Sequence, residues 1–295
     1  MFVRILVLLG ALALAYLGVG GLVILRMTAP ERRPPQATPA DAGLRYEEVE
    51  LTSTDGVPLS AWWIPAQGSR RVAVLVHGWG GDKSDEHVLG TLPLYHDEGY
   101  NTLILDLRAQ GSSGGTRRTL GYRETRDVLG ALRWLGERGY RTRDTVLHGW
   151  SMGGTTVVRA APNTGVAAVV QEAGYADLPL LLEGAIPRVV GLPRILVPGI
   201  LLAGRLWPDF DPWSVQPERE ATELWKEDVP LLIIHSAGDD VIPLEHAKMF
   251  AAAHPEARIW ILQDHDHVEA FTHPEYEERL RSFLRESVGG AGHQR

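Results

Sequence analysis

The chain has 295 residues, 29 Lys and Arg against 37 Asp and Glu, a net charge of −8 and no cysteine. The acidic balance excludes the basic stripe of a nucleic-acid-binding protein. The missing thiol excludes disulfide scaffolds, iron–sulfur clusters, thiolate metal sites and a catalytic cysteine. A hydrophobic content of 44% excludes a disordered chain and allows a large core.

In chain order, the first feature is an uncharged run. No charge falls between Arg4 and Arg26. Residues 5–25 would form a helix about 31 Å long, the thickness of a bilayer core. A cleaved signal peptide is the rival, and Ala13-Leu14-Ala15 offers a small-residue cleavage site. The apolar run continues through Leu25, however, which is too long for an ordinary signal core. The expectation is therefore a single-span membrane anchor over residues 1–26. Its orientation is open, since Arg4 precedes the span and Arg26, Arg32 and Arg33 follow it. Residues 27–43 are rich in Pro and Ala and read as a semi-rigid, non-helical linker.

A globular domain is expected over 44–288, with a disordered tail at 289–295. Residues 46–51 and 59–64 flank the turn signal Thr54-Asp55-Gly56 and read as a hairpin. Short apolar runs at 72–76, 101–105, 145–147, 166–170, 231–234 and 258–262 read as strands, those buried on both faces being continuous in apolar character. Helix-like stretches come between them, with Val128, Leu129, Leu132 and Leu135 at helical spacing over 124–137. A last amphipathic helix is expected over 274–286, with Pro tolerated at its start. This alternation predicts an α/β fold: a mostly parallel sheet with helices on both faces and an antiparallel N-terminal hairpin. Active sites on such sheets lie at the carboxyl ends of the strands. Residues 175–228, rich in Pro, Gly, Leu and Trp, break the alternation and read as a helical lid. Within them, 195–204 is apolar but too short to span a membrane.

The chemistry-bearing motif is Gly149-Trp150-Ser151-Met152-Gly153, directly between a predicted strand and a predicted helix. A sharp turn there lifts the Ser hydroxyl out of the sheet, and the glycines relieve backbone clashes. A serine hydroxyl needs a base. Of eleven histidines, His265 and His267 follow the last strand, where an imidazole can reach over the sheet, and His267 is the choice. An H-x-H pair also suits a metal, but no third ligand stands at a sensible spacing. The orienting carboxylate is expected in His235-Ser236-Ala237-Gly238-Asp239-Asp240, from either Asp. The oxyanion donors are expected to be the backbone N–H groups of Met152 and of Trp79, in His77-Gly78-Trp79-Gly80-Gly81. His77 itself reads as a structural hydrogen-bonding residue. Trp150 and Tyr175 are expected to wall a substrate pocket, and Asp106 with Arg108 to form a structural polar contact.

The segments HGWGG at 77–81, DLRAQGSS at 106–113, GWSMGG at 149–154, GDDVIP at 238–243 and HVEAF at 267–271 resemble the α/β-hydrolase superfamily. They are most similar to its serine-aminopeptidase-like and Bem46-like bacterial branch, whose members often carry an N-terminal membrane span. The resemblance covers roughly residues 45–287. It implies that the acid stands four residues before a Pro, at Asp239 with Asp240 as alternate, and it supports His267 over His265. Relatives often read Arg-Gly-His-Gly where this chain has Arg108-Ala109-Gln110-Gly111. The implied activity is hydrolysis of carboxylic esters through an acyl-enzyme on Ser151, Asp239 and His267, with a small-molecule acyl substrate, no cofactor and no metal. A serine aminopeptidase on the same triad is the alternative and would want an acid for the substrate amine, with Glu172, Asp177 and Glu183 as candidates. A non-catalytic membrane-tethered scaffold is the third reading.

Overall fold

A strand whose five side chains are all buried must be covered on both faces, and Val72–Val76 (β3) meets that description. In the computed structural model, which describes residues 1–208 and 210–289, eight strands form one sheet. The others are Glu47–Thr52 (β1), Pro58–Ile64 (β2), Asn101–Leu105 (β4), Thr145–Trp150 (β5), Ala168–Glu172 (β6), Leu231–Ser236 (β7) and Arg258–Leu262 (β8). Their order across the sheet is β1-β2-β4-β3-β5-β6-β7-β8. β1 and β2 pair antiparallel, as do β2 and β4, and the other pairs are parallel.

The helices are Phe2–Thr28 (α1), Glu86–Asp97 (α2), Thr125–Glu137 (α3), Met152–Ala160 (α4), Leu178–Ala185 (α5), Val197–Leu206 (α6), Pro217–Lys226 (α7), Glu245–Ala253 (α8) and Tyr276–Gly289 (α9). Two apolar layers sandwich the sheet. One holds Val128, Val157, Leu224 and Phe250 from α3, α4, α7 and α8, together with Ile24 of α1 and Ile200 of α6. The other holds Leu92 and Tyr95 of α2 with Leu280 and Phe283 of α9.

Three strands depart from expectation by two residues or more, β7 among them, which runs on to Ser236. β5 runs three residues further, to Trp150, and β6 lies at Ala168–Glu172 instead of 166–170. The polar pair Gln171 and Glu172 hid the end of β6. Both are buried, with Gln171 Oε1 accepting from Gly174 N–H (2.7 Å) and Glu172 Oε2 from the Tyr276 hydroxyl (3.1 Å). Of the tail at 289–295, Gly289 ends α9 and the rest lies outside the described residues.

α1 is long and apolar enough to cross a membrane, with a mean hydropathy of 2.4, and most of it is exposed. The segment after it, expected as a semi-rigid linker, is fastened to the body. Glu31 N–H donates to the Ala109 carbonyl (2.8 Å), Arg118 donates to the Ala29 carbonyl (2.6 Å) and pairs with Glu31 (2.7 Å), and Arg33 pairs with Asp82 (2.7 Å). The expectation of a non-helical segment fails at Pro39–Ala42, a short 3-10 helix. The segment's docking comes from the charged side chains of Glu31 and Arg33, which a compositional reading averages away, and from Arg118 on the body.

Candidate active site

β5 leads straight into α4 through Ser151, whose φ of +54° and ψ of −122° lie outside the comfortable regions for an L-residue. Strain of this kind persists only where surroundings enforce it. Here Ser151 N–H donates to the Glu172 carbonyl (2.8 Å), and the chain on either side passes so close that Cβ atoms at Gly149 and Gly153 would overlap backbone. The result is a serine at the N-terminus of α4, where Met152 N–H belongs to the unpaired first turn and the helix dipole favours negative charge.

His267 and Asp239 meet across two further strand ends. His267 Nδ1 lies 2.7 Å from Asp239 Oδ2, while Asp239 Oδ1 accepts from Val241 N–H (2.9 Å) and Ile242 N–H (2.7 Å). Burial opposes the charge on Asp239, but the bond from His267 and the Ile242 N–H outweigh it and hold the carboxyl below its ordinary value. An ionised carboxylate only accepts, so Nδ1 carries the proton and Nε2 is the ring atom left to act as base. Asp240 is exposed. His265 faces the ring of His273 at 5.2 Å, and no cluster able to hold a metal ion occurs among the described residues.

Ser151 and His267 line one cavity of about 330 Å³, together with Gly78, Trp79, His87 and Val268. Gly78 stands against Ser151: a Cβ there would be 3.2 Å from Ser151 Cβ. Trp79 is 46% exposed, its indole N–H donates to the Met27 carbonyl (3.1 Å), and the Arg118 guanidinium lies 4.3 Å over its ring. His77 is structural, accepting Leu107 N–H on Nε2 at 3.0 Å. His87 is pushed down to about 3 by burial and by the neighbouring His77 and His267, so it stays neutral.

Several expected roles need correction. Trp150 and Tyr175 do not wall this cavity. Trp150 is fully buried and stacks on His148 at 3.9 Å, because alternate residues of β5 point away from Ser151. Tyr175 is buried with its hydroxyl donating to the Leu120 carbonyl (2.9 Å). Asp106 and Arg108 are not partners. Asp106 pairs with Lys83 (3.0 Å), and Arg108 forks between Asp127 (2.7 Å) and Asp55 (2.6 Å). Of the three acids that could meet an amine, Glu172 is buried with its carboxyl pushed up to about 8 by desolvation, Asp177 caps α5, and Glu183 is exposed on the lid.

Sequence reasoning missed Arg33, Asp85 and Glu86, which line the same cavity. Arg33 pairs with Asp82 and, at 3.4 Å, with Asp85. The available signal was charge complementarity between Arg32-Arg33 and the two acids of Asp82-Lys83-Ser84-Asp85.

The profile of the alpha/beta hydrolase family matches residues 73–280, which include Ser151, Asp239 and His267. The chain belongs to the alpha/beta hydrolase family. Among similar proteins, the YfhR protein of Salmonella typhi is 29% identical over 255 residues, covering 82% of this chain and 80% of that protein. The lysophosphatidylserine lipase ABHD12 of Macaca fascicularis is 24% identical, covering 84% of this chain and 69% of that protein. Among solved alpha/beta hydrolase structures, the esterase Pf2001 of Pyrococcus furiosus superposes with a TM-score of 0.73 at 25% identity, covering 88% of this chain and all of that one. Hydrolysis is the chemistry that this family membership supports.

Proposed function

We propose that this alpha/beta hydrolase cleaves carboxylic esters through an acyl-enzyme, held at a membrane by α1. Ser151 Oγ attacks the ester carbon while His267 Nε2 takes its proton. The N–H groups of Met152 and Trp79 receive the developing oxyanion. His267 then returns the proton to the departing alcohol oxygen, and water, deprotonated by the same imidazole, releases the acid from Ser151. Asp239 keeps the ring in the tautomer that leaves Nε2 basic.

The observation that carries the reading is the 2.7 Å bond from His267 Nδ1 to an ionised Asp239, in a cavity that Ser151 shares. The esterase and lipase among the similar proteins favour an ester over an amide. A cavity of about 330 Å³ is at the small end for a ligand pocket and suits a modest acyl group.

A second reading, an aminopeptidase on the same three residues, is favoured by one observation: Asp85 and Glu86 stand in the cavity, where a substrate ammonium would be neutralised. Labelling with a fluorophosphonate probe, wild type against Ser151→Ala, tests the nucleophile whatever the natural substrate. Equal labelling of both chains sinks the mechanism. A panel of acyl p-nitrophenyl esters against aminoacyl-nitroanilides then separates esterase from peptidase.

A further inference from the structure

Helix α1 has two unlike stretches. Residues 1–15 stand clear of the body with every side chain exposed. From Tyr16 onward one face is packed, with Gly20, Val23, Ile24 and Thr28 buried. The partner is α6 of the lid. A Cβ at Gly20 would lie 2.6 Å from the Gly199 carbonyl oxygen, and one at Gly199 would overlap the Tyr16 ring. The Tyr16 hydroxyl accepts from Gly199 N–H (3.0 Å) and donates to the Ile195 carbonyl (2.6 Å). Tyr16 meets Ile195 and Gly199, Gly20 meets Gly199 and Ala203, and Ile24 meets Gly204, so the two helices run parallel. Close approach of small residues is how helices pack inside bilayers.

Length then decides where α6 must be. Met1 and the fourteen free residues of α1 reach about 22 Å, against a hydrocarbon core of about 30 Å. The missing 8 Å or so has to come from the stretch already packed on α6. A spanning α1 therefore carries the lid into the membrane with it.

The lid surface fits that position. Val189, Val190, Ile195, Leu202 and Leu206 are exposed along α6 and the turn before it, Ile195 by 76% and Val189 by 72%. The outward face of α1 alongside continues the apolar surface through Val19, Leu22 and Leu25. Residues 178–208 hold Arg188, Arg194 and Arg205 against one acid, Glu183, in a chain of net charge −8. The parallel register brings Arg205 level with the α1 terminus at Arg26, where both suit anionic headgroups. Arg194 lies deeper, beside Ile195, at a depth from which its long stem snorkels to the headgroups.

We propose that the lid is seated in the bilayer: α6 and the turn leading into it enter one leaflet beside α1, to a depth of at least about 8 Å, with lipid acyl chains covering this face. The proposal rests on the reading of α1 as a membrane span and adds a second membrane contact to it.

The absence of cysteine makes the test clean. Single substitutions Val189→Cys, Ile195→Cys, Leu8→Cys and Glu278→Cys in the full chain, each labelled with bimane, go into nanodiscs of phosphatidylcholine and phosphatidylglycerol carrying doxyl lipids. Leu8 reports on the free part of α1, and Glu278 on α9, across the sheet. The expected result is loss of fluorescence at Val189 and Ile195 comparable to that at Leu8, with no loss at Glu278. Quenching at Leu8 alone overturns the proposal and leaves the anchor standing. No quenching at any site fails the anchor reading and the proposal with it. Lid labels shielded from water yet unquenched by lipid point to a second copy of the chain on this face and also overturn it.

Discussion

A side chain at Gly153 would run into Val76: its Cβ would stand 2.8 Å from the Val76 carbonyl carbon and overlap the oxygen. The turn at Ser151 drives the first turn of α4 across the end of β3, and this crossing aims the hydroxyl. Gly153→Ala is therefore expected to cost about 1–3 kcal/mol or more, as overpacking does. A thermal melt checks the stability, and fluorophosphonate labelling checks the aim. A variant that melts and labels as wild type does would show the crossing to be slack.

Asp239 and Asp240 are neighbours in sequence with different surroundings, one bonded to His267 and two backbone N–H groups, the other exposed. Asp239→Asn puts a donor where His267 Nδ1–H needs an acceptor. Turnover should fall by roughly 10³–10⁴-fold, the scale seen when a triad acid is amidated. Asp240→Asn should leave kcat within about twofold, as expected for a side chain outside the reacting unit. Equal effects of the two substitutions would remove Asp239 from its proposed role.

Much of the fold is readable from residues alone, for identifiable reasons. The strands at 72–76, 101–105 and 258–262 stand out because each is a short apolar run closed by a turn signal, and all three appear at those bounds. The serine turn is legible because its sterics demand glycine at fixed offsets. What stays hidden depends on long-range pairing. Arg108 lies two residues from Asp106 but finds Asp55 and Asp127, each more than eighteen positions away, because Asp106 points to Lys83. Trp150 reads as a pocket wall from its place beside Ser151. The alternation of side chains along β5 sends it to the opposite side, onto His148.

Arg118 joins three parts of the molecule: the Ala29 carbonyl, the Glu31 carboxylate and the face of Trp79, whose N–H is a proposed oxyanion donor. Arg118→Ala removes charged hydrogen bonds with a net worth of about 1.5–3 kcal/mol each. For a chain of this size, a loss of that order lowers Tm by several degrees. The expected kinetic signature is a fall in kcat with the Ser151 label still accepted. Unchanged melting and kinetics would mean that the fastened segment has no bearing on the site.

Glu172 gives a pH dependence with a defined sign. Burial raises its carboxyl from an ordinary 4.5 to about 8, against the pull of its bond from the Tyr276 hydroxyl. Between those values the folded chain holds a proton that the unfolded chain has released, so stability falls as pH rises and the penalty is complete above about 8. The nearby His148 is held neutral by burial and adds no compensating charge. Glu172→Gln keeps the shape without the titration, so Tm should decline less from pH 5 to pH 8 than in wild type. Parallel Tm profiles for the two chains would show that this carboxyl does not titrate with folding.

The fastening of residues 27–36 onto the loops that carry Trp79, Asp82 and Ala109 leaves no swivel between the apolar helix and the catalytic body. A hydrolase on a slack leash samples every heading and meets its substrates as a dissolved enzyme would. With α1 in a membrane, as proposed, one bolted to its post keeps a single heading, so its encounters become a search in two dimensions, and turning the post would turn the doorway with it.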